Sequence, residues 1–192
     1  MLNSIICLTE ENFQLFSNAS KKKESAKGEL LFTPQNICRK ILFIENGLLR
    51  GFKISEGKDF THHFFSENWF ATDFESFLTG KTGSLYIEAL TPITYYEFQK
   101  DGLEQLYELH PQFQKLGRII AEKAFLSTVE KLNDIQTLDL KGRYQGMVAK
   151  NKELFQKVPQ KYIASYLGVS EQSLSRIKKD FFLNICECLV KN

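Results

Sequence analysis

A group of polar and basic side chains lies on one face of a helical pattern near the end of the sequence. Its members are Glu171, Gln172, Ser173, Arg176, Lys178 and Lys179. A glutamine can make two hydrogen bonds to adenine, and an arginine can make two to the O6 and N7 atoms of guanine. Lysine suits the backbone phosphates, which position a protein on a duplex without reporting its sequence. These residue types therefore indicate contact with double-stranded DNA.

Two short helices that meet at Gly168 must hold this face outward. Apolar residues at helical spacing should form the inner faces of the two helices. They are Ile163, Ala164, Leu167, Leu174 and Ile177. Gly168 can adopt the left-handed conformation that ends a helix, and Ser170 is a favourable N-cap for the next one. Lys161 on the first helix adds a candidate phosphate contact, and Ser170 is also a candidate DNA contact. The spacing predicts a helix-turn-helix, and the alternative is a solvated helical hairpin in an α-rich domain.

Charge is distributed unevenly along the chain. The net charge of the whole sequence is only +2, yet residues 141–192 carry ten Lys/Arg against four Asp/Glu. The preceding 140 residues are therefore net acidic. This imbalance suggests that only the C-terminal part meets a polyanion, although a chance fluctuation in composition would produce the same pattern.

A long helix is predicted between Pro111 and about Thr137, before the helix-turn-helix. Its apolar residues are Phe113, Leu116, Ile119, Ile120, Ala124, Phe125, Val129, Leu132 and Ile135. Such a helix would be ~40 Å long, and its apolar stripe is wider than one small domain needs. We therefore expect one flank to pack on the preceding domain and the other on the same helix of a second copy. The alternative is a helix lying in a groove of its own monomer.

Strand patterns rich in Phe and Tyr dominate the sequence from about residue 29 to 100, after a charged link at residues 20–28. Asn46-Gly47 predicts one tight hairpin turn, and Gly57 predicts a second. The patterns at residues 83–90 and 93–99 predict a further pair of strands, separated by Thr91-Pro92. Short strands at this spacing favour an antiparallel sandwich or barrel.

Several classes of protein are disfavoured by the sequence. The four cysteines at positions 7, 38, 186 and 188 are too scattered for a disulfide scaffold and form no CxxC pair, so we expect no metal site or other cofactor. No signal-peptide pattern and no apolar run of ~20 residues is present, so we expect a cytoplasmic protein without membrane contact. No Ser-His-Asp or Cys-His arrangement suggests a nucleophile, so we expect no enzyme.

The segment VPQKYIASYLGVSEQSLSRIKK resembles the helix-turn-helix of the Crp/Fnr family of bacterial transcription regulators, and LDLKGRY resembles the family's junction before that domain. The resemblance implies an α+β fold with an antiparallel, jelly-roll-like β-roll of the cyclic-nucleotide-binding type at residues 1–110. A dimerisation helix at residues 111–138 and an all-α helix-turn-helix domain at 139–192 would follow. The tail after Lys179 is too short for the usual wing. The implied function is a homodimeric transcription regulator on a palindromic operator, with RNA polymerase as a candidate partner.

The effector pocket departs from the family pattern. In nucleotide-binding members a Gly-Glu pair and a later Arg hold the ribose and the cyclic phosphate, but residues 71–72 here read Ala-Thr and residues 83–84 read Gly-Ser. Without that Arg the site lacks its charge-assisted contact, which lysine replaces only as a flexible point charge. The candidate pocket residues are Thr72, Asp73, Lys81 and Ser84. We expect this pocket to bind another small molecule or none, and not cyclic AMP.

A different class of function is also compatible with the sequence. In a signalling or scaffold module, the helix-turn-helix would bind a protein and the β-roll a small-molecule effector. The positive charge of residues 141–192 favours DNA instead. The salt dependence of binding separates the two, because phosphate neutralisation makes DNA affinity fall steeply with ionic strength.

Overall fold

The computed structural model of the chain describes residues 9–150 and 154–190, with side chains described as far as residue 180. The chain divides into two compact units, Met1–Lys53 with His62–Thr128 and Ile54–Thr61 with Val129–Asn192. The division into a β-roll, a dimerisation helix and a helix-turn-helix domain, with boundaries after residues 110 and 138, stays a prediction. The side chains of Cys7, Cys186 and Cys188 lie outside the described residues, and Cys38 is a buried free thiol.

The predicted order of strands, a long helix and short C-terminal helices is confirmed. The strands are β1 (Lys21–Ser25), β2 (Leu30–Phe32), β3 (Lys40–Asn46), β4 (Leu49–Ser55), β5 (Lys58–Phe65), β6 (Phe70–Ala71), β7 (Tyr86–Ala89) and β8 (Ile93–Gln99). The helices are α1 (Glu10–Asn18), α2 (Phe74–Thr79), α3 (Lys100–Leu109), α4 (Gln112–Thr137), α5 (Leu140–Lys150), α6 (Leu154–Lys157), α7 (Gln160–Leu167) and α8 (Glu171–Val190). The long helix expected after Pro111 is α4.

The strands form two four-stranded sheets, ordered β1-β8-β3-β6 and β2-β7-β4-β5, and their described pairings are antiparallel. Successive side chains of a strand point to opposite faces. Leu42 and Ile44 of β3 therefore point between the sheets, where they pack in one core with Leu49 and Ile87 of the other sheet. The predicted antiparallel β-roll is confirmed.

The other face of β3 packs against helices. Phe43 shares a second core with Phe16 of α1, Leu106 of α3 and Phe113 of α4. The rings of Phe16 and Phe43 meet edge to face with their centroids 6.0 Å apart, which is a favourable arrangement for two aromatic side chains. This helical layer fixes the first half of α4 on the outside of the roll.

One predicted hairpin and one predicted strand pair are wrong. Gly47 has the positive φ of 106° that a tight turn needs, but the strands that it joins, β3 and β4, lie in different sheets. The strands on either side of Thr91-Pro92, β7 and β8, also lie in different sheets. The two turns are neighbouring corners of the roll, because a Cβ on Gly47 would lie 2.5 Å from Ile93 Cγ2. Local residues specify a turn, whereas burial between the sheets decides which strands pair.

The predicted turn at Gly57 is confirmed as a hairpin. β4 and β5 are neighbours in one sheet, and the two residues between them, Glu56 and Gly57, have φ angles of 51° and 75°. Positive φ at both central residues is the geometry that matches the twist of paired strands in a two-residue loop.

The charged link predicted at residues 20–28 is wrong over part of its length. Lys21–Ser25 forms β1, an edge strand that pairs with β8. The ammonium of Lys22 lies 2.7 Å from a carboxylate oxygen of Glu45, and that of Lys23 lies 2.7 Å from Glu97. Lysines are a common device on edge strands because they discourage pairing with another chain. The strand exists because a distant partner accepts its backbone hydrogen bonds, which the local sequence does not report.

In the second unit, helices follow one another with short connections. Asp139 Oδ1 accepts the N–H of Gly142 at 2.7 Å at the start of α5, and Lys150 forms an ion pair with Glu130 at 2.6 Å. The backbone of α8 continues as helix to Val190, so the chain after Lys179 forms no wing within the described residues, as predicted. No helix of the described chain has an apolar stretch long enough to cross a bilayer.

Candidate nucleic-acid interface and effector pocket

The turn between α7 and α8 is built by backbone hydrogen bonds around Gly168. This glycine has a φ of 70°, and its N–H donates to Ser165 O at 3.1 Å. The N–H of Val169 donates to Ala164 O at 3.0 Å. The two bonds together form a Schellman motif, in which a left-handed residue satisfies the last carbonyls of a helix. The predicted role of Gly168 is confirmed by this geometry.

The start of α8 is capped by Ser170. Its Oγ accepts the N–H of Ser173 at 3.2 Å and lies 3.0 Å from the hydroxyl of Ser173. An N-cap of this kind satisfies one of the free N–H groups at the beginning of a helix. Ser170 and Ser173 therefore order the helix entry, and their hydroxyls are already engaged with each other.

The inner faces of the two helices are closely packed. Ile163, Leu167 and Leu174 are buried, and so is Ala164, whose small side chain allows close approach of the second helix. Arg143 of α5 donates from Nη1 to Leu167 O at 3.2 Å. This contact ties the last turn of α7 to α5 and fixes the platform from which α8 projects.

The outer face of α8 carries the predicted DNA contacts. Glu171, Gln172, Arg176 and Lys179 are exposed, and Lys178 is half-buried on the flank. Within the described residues no ion pair engages Arg176, Lys178 or Lys179. Lys161 of α7 is also exposed, although its ammonium lies 4.8 Å from the ring centroid of Tyr162.

One exposed residue of this face, Ser175, was not predicted from the sequence. Ser175 is exposed and lies three residues after Gln172 and four before Lys179, which places all three on the same side of a helix. The spacing was visible in the sequence, but a serine carries no charge to draw notice. A serine hydroxyl can bond either to a base edge or to a phosphate.

The predicted effector pocket contains a buried carboxylate that is already bonded. Asp73 is the N-cap of α2, where its Oδ1 accepts the N–H of Ser76 at 3.2 Å. Its Oδ2 accepts two further backbone N–H groups, from Ser84 at 3.1 Å and Leu85 at 3.2 Å. A Cβ on Gly83 would lie 2.7 Å from Oδ2. The loop after α2 therefore closes over Asp73.

The other pocket residues fall into two groups. Thr72 is buried and donates its hydroxyl hydrogen to Lys40 O at 2.8 Å, and its Oγ1 lies 3.1 Å from the thiol of Cys38. The side chains of Lys81 and Ser84 are exposed. The four predicted residues thus share one segment, but only Asp73 and the backbone of Ser84 are in contact. An adjoining cleft of about 270 Å³ is lined in part by Asn36, Asp73 and Gly83.

Comparison with known proteins gives matches among solved structures. No protein-family model matches the sequence, and no curated protein matches it. FixK2 from Bradyrhizobium japonicum matches with a TM-score of 0.75 at 13% identity, over 86% of this chain and 85% of that one. A protein from Eubacterium rectale described as a transcriptional regulator of the Crp/Fnr family has a TM-score of 0.70 at 15% identity, over 93% and 85%. The c-di-GMP-responsive global regulator CLP from Xanthomonas campestris has a TM-score of 0.69 at 16% identity, over 92% and 93%. The chain has the Crp/Fnr fold.

The first helix of the helix-turn-helix in this Crp/Fnr fold is held through two of its residues, Ser165 and Tyr166, by contacts inside the second unit. Ser165 Oγ accepts the N–H of Thr61 at 2.9 Å and donates to Asp59 O at 3.1 Å. The ammonium of Lys131 lies 4.1 Å from the ring centroid of Tyr166. Residues 59–61 and the last turns of α4 therefore both reach α7.

The contact between Lys131 and Tyr166 joins two side chains whose pKa values are shifted. Burial lowers the pKa of Lys131 to about 8. Burial also raises the pKa of the Tyr166 phenol, and the neighbouring carboxylates of Asp134 and Glu130 raise it further. A cation–π contact of a half-buried lysine stabilises the pair, but the cost of desolvating the ammonium opposes it.

Proposed function

We propose that the protein is a homodimeric transcription regulator that binds a palindromic DNA operator through α8. The observation that carries this proposal is the outward face of that helix, where Gln172, Arg176 and Lys179 are exposed on a capped helix above a buried platform. A glutamine and an arginine on such a face match base edges, and the lysines match phosphates. The fold shared with the Crp/Fnr regulators supports the same function.

Dimerisation is supported by the uncovered apolar residues of α4. Phe125 is 66% exposed, Leu132 53% and Ile135 52%. Together with Ala121 and Thr128 they recur at alternating spacings of four and three, which is the a/d pattern of a two-stranded coiled coil. A second copy of α4 would cover this stripe. Two-fold symmetry would then place two α8 helices on successive half-sites of a palindrome.

An effector other than cyclic AMP, or none, is supported by Asp73. Its buried carboxylate holds the N–H groups of Ser84 and Leu85, in the segment where the family resemblance places the cyclic phosphate. A phosphate there would meet an existing negative charge and would have to displace these bonds. Such a loss is unfavourable, because hydrogen bonds to charged groups are worth about 1.5–3 kcal/mol each.

We infer a role in binding rather than catalysis, because the described side chains of the same site match DNA. The cytoplasm is the compartment that a DNA partner implies for a bacterial regulator. RNA polymerase is a candidate second partner if the protein activates transcription.

Selection of bound fragments from random duplex DNA tests this function. We expect enrichment of a palindrome whose half-sites lie about one helical turn apart. A Gln172→Ala/Arg176→Ala double variant should lose the enrichment, whereas Lys115→Ala, which removes an exposed basic residue of α4, should keep it. No enriched sequence, together with binding to DNA that does not depend on salt, would contradict the proposal and favour a protein-binding signalling module.

A further inference from the structure

An apolar cavity of about 160 Å³ lies on the helical side of the β-roll, inside the first unit. Its walls come from β6, α2, α3 and α4, and their principal side chains are Phe70, Phe74, Phe77, Leu103, Leu106 and Ile120. The cavity lies on the opposite face of the sheet from the interior of the roll, where the core of the two sheets is packed. It is therefore distinct from the predicted effector pocket around Asp73.

The size and lining of this cavity restrict what can occupy it. None of the described residues that line it is charged, so a carboxylate, phosphate or ammonium would enter at a large desolvation cost. A cavity of about 150 Å³ lined by Leu, Ile and Phe holds a benzene molecule in other proteins. The space thus suits one uncharged aromatic ring.

One polar side-chain group adjoins the cavity, the phenol of Tyr107. Its hydroxyl has no hydrogen-bond partner among the described residues, and burial raises its pKa, so the hydroxyl stays protonated at neutral pH. Tyr107 is half-buried, and a tyrosine in such a place offers a polar tip beside an apolar ring. A hydroxyl left open beside an apolar cavity is therefore a candidate for bonding a ligand.

Gly117 of α4 makes room for this hydroxyl. A Cβ at that position would lie 2.7 Å from Tyr107 Oη, which is closer than a carbon and an oxygen can pack. Glycine in the middle of a helix is destabilising relative to alanine. Its presence in α4 is explained by the position of the Tyr107 hydroxyl.

We propose that this cavity binds a small uncharged aromatic molecule carrying one hydrogen-bonding group, of the size of phenol. The ring would occupy the apolar space, and its polar group would bond to the Tyr107 hydroxyl. Leu116, Ile120 and Ala121 of α4 line the same cavity. The ligand would therefore contact the helix whose exposed apolar stripe forms the proposed dimer interface. An effect of the ligand on DNA binding rests on the proposed function, whereas binding itself does not.

Calorimetric titration of the full chain with phenol and with toluene, in the absence of DNA, tests the proposal. We expect saturable binding of both and a ligand-dependent rise in Tm. Leu106→Phe fills the cavity and should weaken both ligands at least tenfold. Leu109→Phe is the matched control, because it makes the same change on the same helix at a side chain that is 75% exposed.

A second variant keeps the test decisive if Leu106→Phe does not fold. Tyr107→Phe retains the ring and removes the hydroxyl, so phenol should bind about fivefold more weakly while toluene is unchanged. Absence of saturable binding at millimolar ligand would overturn the proposal. So would equal affinity in Leu106→Phe and Leu109→Phe, or equal loss of phenol and toluene in Tyr107→Phe. Phenol binding without any change in DNA affinity would leave the site standing and refute only an effect of the ligand on DNA binding.

Discussion

Asp73 accepts the backbone N–H of Ser84 through Oδ2 at 3.1 Å, and so joins the start of α2 to the loop that follows that helix. The same oxygen accepts the N–H of Leu85, and the other oxygen caps the helix. The family resemblance places the cyclic phosphate of nucleotide-binding members in this same segment. We expect cyclic AMP neither to bind at physiological concentrations nor to change DNA affinity. Calorimetric titration that gives a micromolar Kd would contradict this.

Asp73 should also matter for stability. Asp73→Asn keeps the shape, but its amide nitrogen cannot accept a hydrogen bond, so at least one of the three N–H contacts is lost and the others lose their charge assistance. We therefore expect a loss of about 1–3 kcal/mol in the free energy of unfolding. Urea denaturation measures the change. Glu75→Gln is the control, because Glu75 is an exposed residue of the same helix. If both variants unfold at the same urea concentration, the Asp73 contacts contribute little.

Arg176 and Lys178 should differ in role: Arg176 should recognise the operator sequence, and Lys178 should bind the DNA backbone. Arg176 is exposed on the outer face of α8, whereas Lys178 is half-buried at its flank. Arg176→Ala should cost about 1–3 kcal/mol on the operator and much less on random DNA. Lys178→Ala should weaken binding to both about equally and reduce the salt slope by roughly one unit. Fluorescence anisotropy on the two DNAs measures this, and equal losses for Arg176→Ala would mean that α8 binds without reading sequence.

The apolar stripe of α4 should hold a dimer together. Leu132→Glu places a charge at a side chain that is 53% exposed in the single chain but would be buried between two copies. Since an unpaired charge in an apolar interface is costly, we expect this variant to sediment as a monomer while the wild type sediments as a dimer. Gln136→Glu adds a charge to an exposed position nearby and serves as control. A wild-type protein that is monomeric at micromolar concentration would contradict the proposed dimer.

Lys131 should make stability depend on pH. Burial lowers its pKa in the folded state to about 8, from an unperturbed value of 10.5, so between these pH values the unfolded chain binds more protons than the folded one. Stability contributed by this group is therefore lowest below pH 8 and rises as the pH increases from 8 to 10. Above pH 10 the raised pKa of Tyr166 acts in the opposite direction.

Comparison with Lys131→Met isolates this effect. The variant should be more stable than the wild type at pH 7.5 by about 1–2 kcal/mol, and the difference should shrink towards pH 10. Urea denaturation at several pH values measures it. A difference that stays constant across this range would mean that Lys131 is solvated in the folded protein.

The helix-turn-helix was predictable from the sequence because its determinants are local. Gly168 accepts a positive φ, Ser170 caps the next helix, and Leu174 is buried at the predicted spacing. Each of these features acts within about one helical turn of its own residue. The position of Arg176 on the outer face follows from the same spacing, and so does that of Ser175, although serine gave no chemical signal.

Strand pairing was decided by the tertiary structure, for the opposite reason. The residues at Gly47 and at Thr91-Pro92 specify turns. Whether a turn joins two strands of one sheet or crosses between sheets depends on which distant strands bury their apolar side chains together. β1 exists because β8, some seventy residues later, accepts its backbone bonds. Tyr107 became interpretable only in the folded chain, since the cavity beside it is assembled by segments distant in sequence. Asp73 required the fold of the loop after α2, which brings the N–H groups of Ser84 and Leu85 back to the start of that helix.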